Sequence, residues 1–452
     1  MATKEIIYIA IVIFLVIFIL LKIPLFKKFS IPRSWFIWAF FVKLIAGAAL
    51  FYVYTFYYSD RSKADIYKYF DDGKIMYESI FSNPTHYFQM VLGIHNDNPL
   101  FDNLYYSKMN NWYRMYETVT YNDSHTMIRL HAILFLFSGG YFSLHHLFFI
   151  IMSFVGFLLL FFALSILFPQ MQKIIFLVTF FIPSVVFWSS GALKESVLMF
   201  AMGLNLFSLV SILTQKQDQM KKSEIAKKVL YFFLLMLSFF FLIFIKMYVL
   251  VALIPVLLGF VWVELSKRKN AFLKYFLVTI FYIAFLWILG KIFPAYFFPA
   301  LIVQKQHDFI GLALHEQSKS YFQPLPIQPT ILSLAIYSPF ALFNAMFRPL
   351  LWNTRGVLEL LASIESVFYF FSVIIILLFF RKRDIHPQAW LFLFFALLMF
   401  LLVGYTTPVS GAIVRYRVPA LLFFAIFIAT LFDENKFQSF LLKIKFLWKK
   451  QY

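Results

Sequence analysis

The chain is organised around apolar runs of about 20 residues, the length an α-helix needs to cross the hydrocarbon core of a bilayer. Such runs fall near residues 5–22, 36–57, 145–168, 174–189, 195–214, 229–246, 249–265, 272–293, 364–380, 388–404 and 416–432. In hydrocarbon every backbone polar group must be satisfied within its own segment, so each run reads as a helix. Hydrophobic residues make up 62% of the chain and charged residues 13%, a balance that excludes a soluble domain. The expected fold is all-α, a polytopic transmembrane helical bundle of about eleven spans plus re-entrant or interfacial helices, with an outer cap loop. The first run is too long for a removable signal peptide and lacks a small-residue cleavage site, so it is expected to remain as a helix. The chain has no cysteine, which excludes disulfide staples and thiolate chemistry.

A formal net charge of +19 invites a nucleic-acid reading, but the placement of the charge argues against it. Lys22, Lys27, Lys28 and Arg33 lie between the first two runs, and Lys216, Lys221, Lys222, Lys227 and Lys228 follow the fifth. Lys267, Arg268 and Lys269 follow the seventh, Arg381, Lys382 and Arg383 the ninth, and Lys443, Lys445, Lys449 and Lys450 lie in the tail. A single parity puts all of these in the cytoplasm, with the N-terminus out and the C-terminus in. Residues 59–144, 189–195, 294–363 and 405–415 then face outside. A full crossing by Ile331 to Trp352 would break this parity, so that stretch reads as a re-entrant or interfacial helix interrupted at Pro339 and Pro349. Met127 to Phe137 is too short to cross and ends at Gly139 and Gly140, so it reads as dipping into the membrane or lying along it. With no internal repeat, 1–452 reads as one integral membrane domain, with outer loops at 59–126 and 294–363.

Lys194 and Glu195 stand between two apolar runs, where an ionised pair is costly and reads as functional. Gly191 precedes them, and a lysine at a helix N-terminus makes a compact anion site suited to phosphate. Glu195 either neutralises Lys194 or holds it in position; the alternative is a snorkelling pair with no ligand. Arg415 and Arg417 lie at the outer mouth of the last run, Arg348 precedes Pro349, and Lys246 ends the sixth run on the outer side. Few cations are expected there, and guanidinium groups bind phosphate oxygens bidentately, although each alone also reads as a snorkelling anchor. Glu359 and Glu365 are candidate partners for Arg348 or Arg355.

In the first outer loop, a helix over Asp65 to Ile80 puts Asp65 and Asp72 on one face, with Tyr69, Ile75 and Met76 lining an apolar side at the bilayer surface. Asp72, then Asp71, then Asp65 are candidates for a general base or a metal ligand, since a carboxylate near the membrane surface has its pKa raised. The plainer alternative is an amphipathic helix with ordinary surface charges. His95-Asn-Asp97-Asn and Asn122-Asp-Ser-His125 match no zinc spacing; their oxygens suit a hard divalent cation, Mg²⁺ or Mn²⁺, or simply a polar loop. His131, His145 and His146 read as hydrogen-bonding residues at helix ends.

Three features together resemble the GT-C superfamily of polyprenyl-phosphate-dependent glycosyltransferases: the acid-bearing first outer loop, the many spans with an outer face, and Arg415-Tyr-Arg-Val-Pro419, which is similar to an Arg-Tyr-Arg-Leu-Pro run in many such enzymes. An extra N-terminal helix displaces the usual acidic motif from its place after the first span. Ser189 to Glu195 and Ser338-Pro-Phe with Arg348-Pro349 also resemble multi-spanning membrane proteins of Bacteroidetes. The resemblance implies a bacterial inner-membrane enzyme with a lipid-linked sugar donor and a glycan, lipid or protein acceptor, in which Lys194, Arg415 and Arg417 converge with one of the three acids. Bacterial polysaccharide polymerases, which use lipid pyrophosphate-linked repeats, are similar in their outer arginines. A transporter or lipid flippase is the non-enzymatic alternative and predicts discontinuous helices at mid-membrane.

Overall fold

The structure is a computed structural model that describes residues 3–24, 26, 29–58, 60–61, 64–113, 122–214, 222–266, 269–379, 385–432, 436 and 439. It is all-helical, with no strand among the described residues beyond one isolated bridge between Tyr321 and Val409. Two compact units divide the chain, Met1–Leu250 and Val251–Tyr452. Of the basic residues that set the expected orientation, Lys27, Lys28, Lys216, Lys221, Lys267, Arg268, Arg381, Lys382, Arg383 and the four tail lysines lie outside the described residues.

The first unit opens with two apolar helices, α1 (Thr3–Lys22) and α2 (Arg33–Tyr52), the latter extended by a π-turn over Val53–Tyr57. Four helices too short or too polar to span follow: α3 (Asp65–Ser82), α4 (Pro84–Leu92), α5 (Pro99–Leu104) and α6 (Ser124–Ser138). Their ends are written in the sequence. Asn83 and Asn98 cap α4 and α5 with their side-chain oxygens, each followed by proline at the first helical position. Gly93 and Gly139 close α4 and α6 in the left-handed conformation that glycine adopts without steric cost. The unit continues through α7 (Phe142–Leu167), α8 (Gln172–Phe181), α9 (Pro183–Trp188) and α10 (Lys194–Thr214) into α11 (Lys222–Leu265), within which the unit boundary falls.

Helices α7 and α10 form the closest pair of the first unit, because glycines meet where they cross. A Cβ on Gly156 would stand 2.5 Å from the Met199 carbonyl oxygen, and one on Gly203 would overlap the Gly156 backbone. Small residues at such a crossing let two membrane helices approach backbone to backbone.

The second unit contains α12 (Ala271–Ile292), α13 (Phe298–His315), α14 (Ile331–Phe347), α15 (Val357–Leu378), α16 (Ala389–Thr406), α17 (Ser410–Tyr416) and α18 (Val418–Leu431). Gly404 of α16 lies against the Ala341 backbone of α14, and Tyr405 donates to the Leu334 carbonyl at 2.6 Å. Helix α14 continues through Pro339, where the sequence predicts an interruption. The proline leaves the carbonyl four residues back, on Ala335, without its N–H, and the Ser338 hydroxyl donates to that carbonyl instead, at 2.8 Å. The helix ends at Phe347, before the cis Arg348–Pro349 bond.

Eight helices among the described residues are long and apolar enough to cross a membrane, or nine if α17 and α18, bent by 59°, count as one span. The difference from about eleven apolar runs has two sources. The runs at 229–246 and 249–265 are one element, α11, whose backbone leaves helical geometry at Lys246. The run at 174–189 is split at Pro183 into α8 and α9, each short. Apolar composition marks the runs but not where the backbone breaks. Replacing Gly203 by Leu should separate α7 from α10 at a cost of at least about 1–3 kcal/mol. The check is a lowered thermal midpoint of the purified protein in detergent, with Leu177→Ile at an exposed position as the reference substitution.

Candidate functional site

The site grows from the turn that joins α9 to α10. The Ser189 and Ser190 hydroxyls fold back onto the Val185 and Val186 carbonyls, at 2.6 and 2.5 Å. The Ser196 hydroxyl lies 2.6 Å from the Gly191 carbonyl and 3.0 Å from that of Ser189, so the turn is tied to the first turn of α10. Gly191 is packed against the His146 ring, where a Cβ would come within 2.5 Å of Cε1. Lys43 of α2, fully buried, donates to the Ser189 hydroxyl at 2.9 Å and to its carbonyl at 3.3 Å, and lies 4.3 Å over the Phe157 ring.

The next two residues each bring a charge into the interior. Lys194 donates to the Asp123 carboxylate at 2.6 Å and to the Ser124 hydroxyl at 3.2 Å, and its ammonium lies 5.5 Å from the Tyr69 ring centroid. Glu195 pairs with Lys246 at 2.7 Å, both side chains nearly inaccessible. The Lys246 end of this pair sits where α11 leaves helical geometry. Of the two roles the sequence offered Glu195, neutralising Lys194 is taken by Asp123, while Glu195 serves Lys246.

A polar chain connects Lys194 to α3. Asn122, next to Asp123, donates to the carbonyls of Asn111 and Trp112 at 2.9 and 3.0 Å. The backbone N–H groups of Asn110 and Asn111 in turn donate to the two oxygens of Asp72, at 2.7 and 2.8 Å. Asp72 is fully buried, and that desolvation pushes its carboxyl up to about 6, against the opposing pull of the two N–H donors. Both of its oxygens are therefore engaged in holding the Asn110–Asn111 segment. Asp71 points elsewhere and is held by the Arg61 guanidinium at 2.6 and 3.1 Å. Asp65, Tyr69 and Asp72 recur at helical spacing on one face of α3, and Tyr69 is the member that lies beneath Lys194. Asp65 is partly exposed at the first turn.

Two of the loop residues read as cation ligands have partners within the protein. Asp123 holds Lys194, and His125 bonds to the Trp112 carbonyl at 2.8 Å while stacking on the Trp112 ring. Among the described residues no three His, Cys, Asp or Glu side chains group as metal ligands. His131 and His145 share a 2.8 Å contact between their Nδ1 atoms, and His145 Nε2 meets the Ser138 hydroxyl at 2.7 Å.

In the second unit, Arg417 is fully buried and donates to the carbonyls of Ala345, Met346 and Arg348 and to the Ser366 hydroxyl. It caps the C-terminus of α14, a place where unpaired carbonyls and the helix dipole both favour a cation. Arg348 bonds Asn344 at 2.9 Å and stacks 4.0 Å over the Phe322 ring. Arg415 is partly exposed on α17. Glu359 accepts from the Arg355 backbone N–H at 2.8 Å, and Glu365 from the Tyr369 hydroxyl at 2.9 Å.

Asp123 and Lys43 are the contributors that reading by motif passed over. Asp123 was visible only as a loop oxygen; its position just before α6 is the signal that marks it as a helix-terminal acid. Lys43 stands alone within an apolar run, which is itself the mark of a residue with a buried task. No protein-family model, curated protein or solved structure matches the chain.

Two outcomes follow from this geometry. Lys246→Met strands the Glu195 carboxylate in the interior and should cost about 3–5 kcal/mol, whereas Lys246→Met combined with Glu195→Leu should recover most of it. Thermal unfolding of wild type and of the two variants in detergent reads the difference. For Asp72, a folded pKa near 6 lies above the ordinary 3.8, so its neutral form is the one the fold favours. Its stabilising contribution is complete below pH 3.8 and is lost as pH rises through about 6. The stability difference between wild type and Asp72→Asn should therefore move against wild type between those limits and level off above them, measured as unfolding midpoints against pH.

Proposed function

We propose that the protein is a membrane glycosyltransferase that moves a sugar from a polyprenyl-phosphate-linked donor to a glycan, lipid or protein acceptor of the cell envelope. In this reading the chain lies in the bacterial inner membrane, N-terminus out and C-terminus in, with α3–α6 on the outer face. The observation that carries it is the lysine at the start of α10, buried beside the acid-bearing face of α3. A phosphate at this helix N-terminus would meet Lys194 in place of the Asp123 carboxylate. The acceptor hydroxyl gives its proton to a carboxylate, its oxygen attacks the anomeric carbon with inversion, and the bond from that carbon to the phosphate oxygen breaks. The phosphate leaves with the electron pair, its growing charge stabilised by Lys194.

Of the three acids the geometry favours Asp65 as the base. It shares the face of Tyr69 beneath Lys194 and is partly exposed. Asp72 holds the Asn110–Asn111 segment and Asp71 pairs with Arg61. Arg415, partly exposed on α17, is the phosphate-ligand candidate of the second unit. A Mg²⁺ or Mn²⁺ ion is not required by these steps.

A transport function is the second reading, favoured by charged residues at helix breaks, Lys246 in α11 and Arg417 between α17 and α18. Purified protein incubated with radiolabelled polyprenyl-phosphate sugars should bind donor and pass label to an acceptor. Asp65→Asn should lower turnover about 100-fold or more with donor binding kept, while Lys194→Met should weaken donor binding. Full activity after joint replacement of Asp65, Asp71 and Asp72 would remove the base assignment and favour a polymerase that works through cations alone. Failure to bind any lipid-linked sugar, with movement of lipid or solute across vesicles, would replace the transferase by the transporter.

A further inference from the structure

The short helices between α2 and α7 leave an apolar surface uncovered that neither the charge network nor the proposed chemistry uses. Helix α4 has nine residues and contains no Asp, Glu, Lys or Arg. Its inner face buries Tyr87 and Met90, and the Tyr87 hydroxyl bonds the Ala132 carbonyl of α6 at 3.2 Å. Its outer face presents Phe88 and Leu92, four residues apart, at 55% and 65% exposure, beside Phe81 at 75% in the last turn of α3. Helix α6 divides in the same way. Ala132, Phe135 and Ser138 are buried, while Ile133, Leu136 and Phe137 are exposed, Phe137 at 81%. Single exposed apolar residues are ordinary on any protein, but an uncharged helix face that repeats them is not.

Three observations say what covers this surface. First, the end of α2 carries exposed Tyr52, Phe56, Tyr57 and Tyr58, the aromatic belt that marks a membrane–water boundary, and α3 begins seven residues later. Second, the start of α7 lies at the same level. Phe142 packs on Phe51 at 6.0 Å and on Tyr67 of α3 at 4.7 Å, and His146 bonds the Gly47 carbonyl at 3.0 Å. Third, only Gly139, Gly140 and Tyr141 separate α6 from α7, so Leu136 and Phe137 lie within a few residues of a helix able to cross the bilayer. The surface thus sits where headgroups meet acyl chains. Helix α4 is about 13 Å long at 1.5 Å per residue, far short of the roughly 30 Å core, so it can lie in that boundary but not cross it.

We propose that α4 and the C-terminal half of α6 form a lipid-inserted lip, a monotopic surface seated in the headgroup–acyl boundary of a phospholipid bilayer through Phe81, Phe88, Leu92, Ile133 and Phe137. The partner is the bilayer itself, not a second copy of the chain. The seat holds α3 and the adjoining Lys194 level with the headgroups, whatever reaction the site performs.

The absence of cysteine makes the test direct. Single cysteines replace Phe88, Leu92 and Phe137, with exposed, polar Lys108 of the same region as reference. Each full-length variant is labelled with a nitroxide and reconstituted in phosphatidylcholine–phosphatidylglycerol vesicles. Collision with oxygen, which concentrates in the bilayer, is compared with collision with a water-soluble nickel chelate. The ratio of oxygen to chelate should be several-fold higher at 88, 92 and 137 than at 108. Chelate collision at those three sites equal to that at 108 would overturn the proposal, because the surface would then face water. Shielding from both reagents, with spin–spin broadening that unlabelled protein dilutes away, would overturn it in favour of contact between copies. All four positions are exposed, so their substitution leaves the core intact, and a matching thermal midpoint checks that each variant is folded.

Discussion

A charge buried among apolar helices is tolerated only when an opposite charge or a set of dipoles stands within hydrogen-bond reach, and the first unit is arranged around that requirement. Lys194 and Glu195 are adjacent in sequence, yet each takes its partner from another element, Asp123 from the start of α6 and Lys246 from the bend of α11. Two ion pairs thereby tie α10 to segments 71 and 51 residues away. Removing any one of the four charges leaves its partner stranded, so the pairs specify how α6, α10 and α11 meet even where their net contribution to stability is small.

The same requirement is met without an acid at two other places. Lys43 is answered by the hydroxyl and carbonyl of Ser189, and Arg417 by three carbonyls at the end of α14. In both cases a cation completes a backbone that a turn or helix end leaves open. This explains why Arg417, in a motif that resembles a phosphate-binding one, donates through its two terminal nitrogens to groups within the protein. A guanidinium offers five donors in a rigid fork, and the end of a helix offers several carbonyls in a fixed array.

Function and fold meet on α3. Its Asp65–Tyr69–Asp72 face combines a partly exposed acid, a ring beneath the Lys194 ammonium, and a buried acid that secures the neighbouring loop. One helix face thus carries two chemically identical carboxylates in different environments, one partly exposed and one buried. The face lies close to the aromatic end of α2, where Thr55 and the Tyr67 hydroxyl of α3 share a hydrogen bond at 2.5 Å.

The sequence alone determined that the protein is all-helical with helices of membrane-spanning length, and marked several of its helix ends. Apolar runs of spanning length, the capping asparagines with their prolines, and the glycines that close α4 and α6 are local signals, and local signals survive without knowledge of the fold. It also marked Lys194, Glu195, Lys246 and the α3 acids as residues with a task, because an ionised group near hydrocarbon is costly wherever it ends up. Which charge meets which was decided only in three dimensions. Asp123 was hidden in a polar loop and Lys43 in an apolar run, and the reach of an ammonium group depends on helix packing that spacing does not encode. The helix breaks were decided there too. Pro339 leaves α14 intact because Ser338 repairs the lost hydrogen bond, whereas α11 leaves helical geometry at Lys246, where a buried partner waits on another helix.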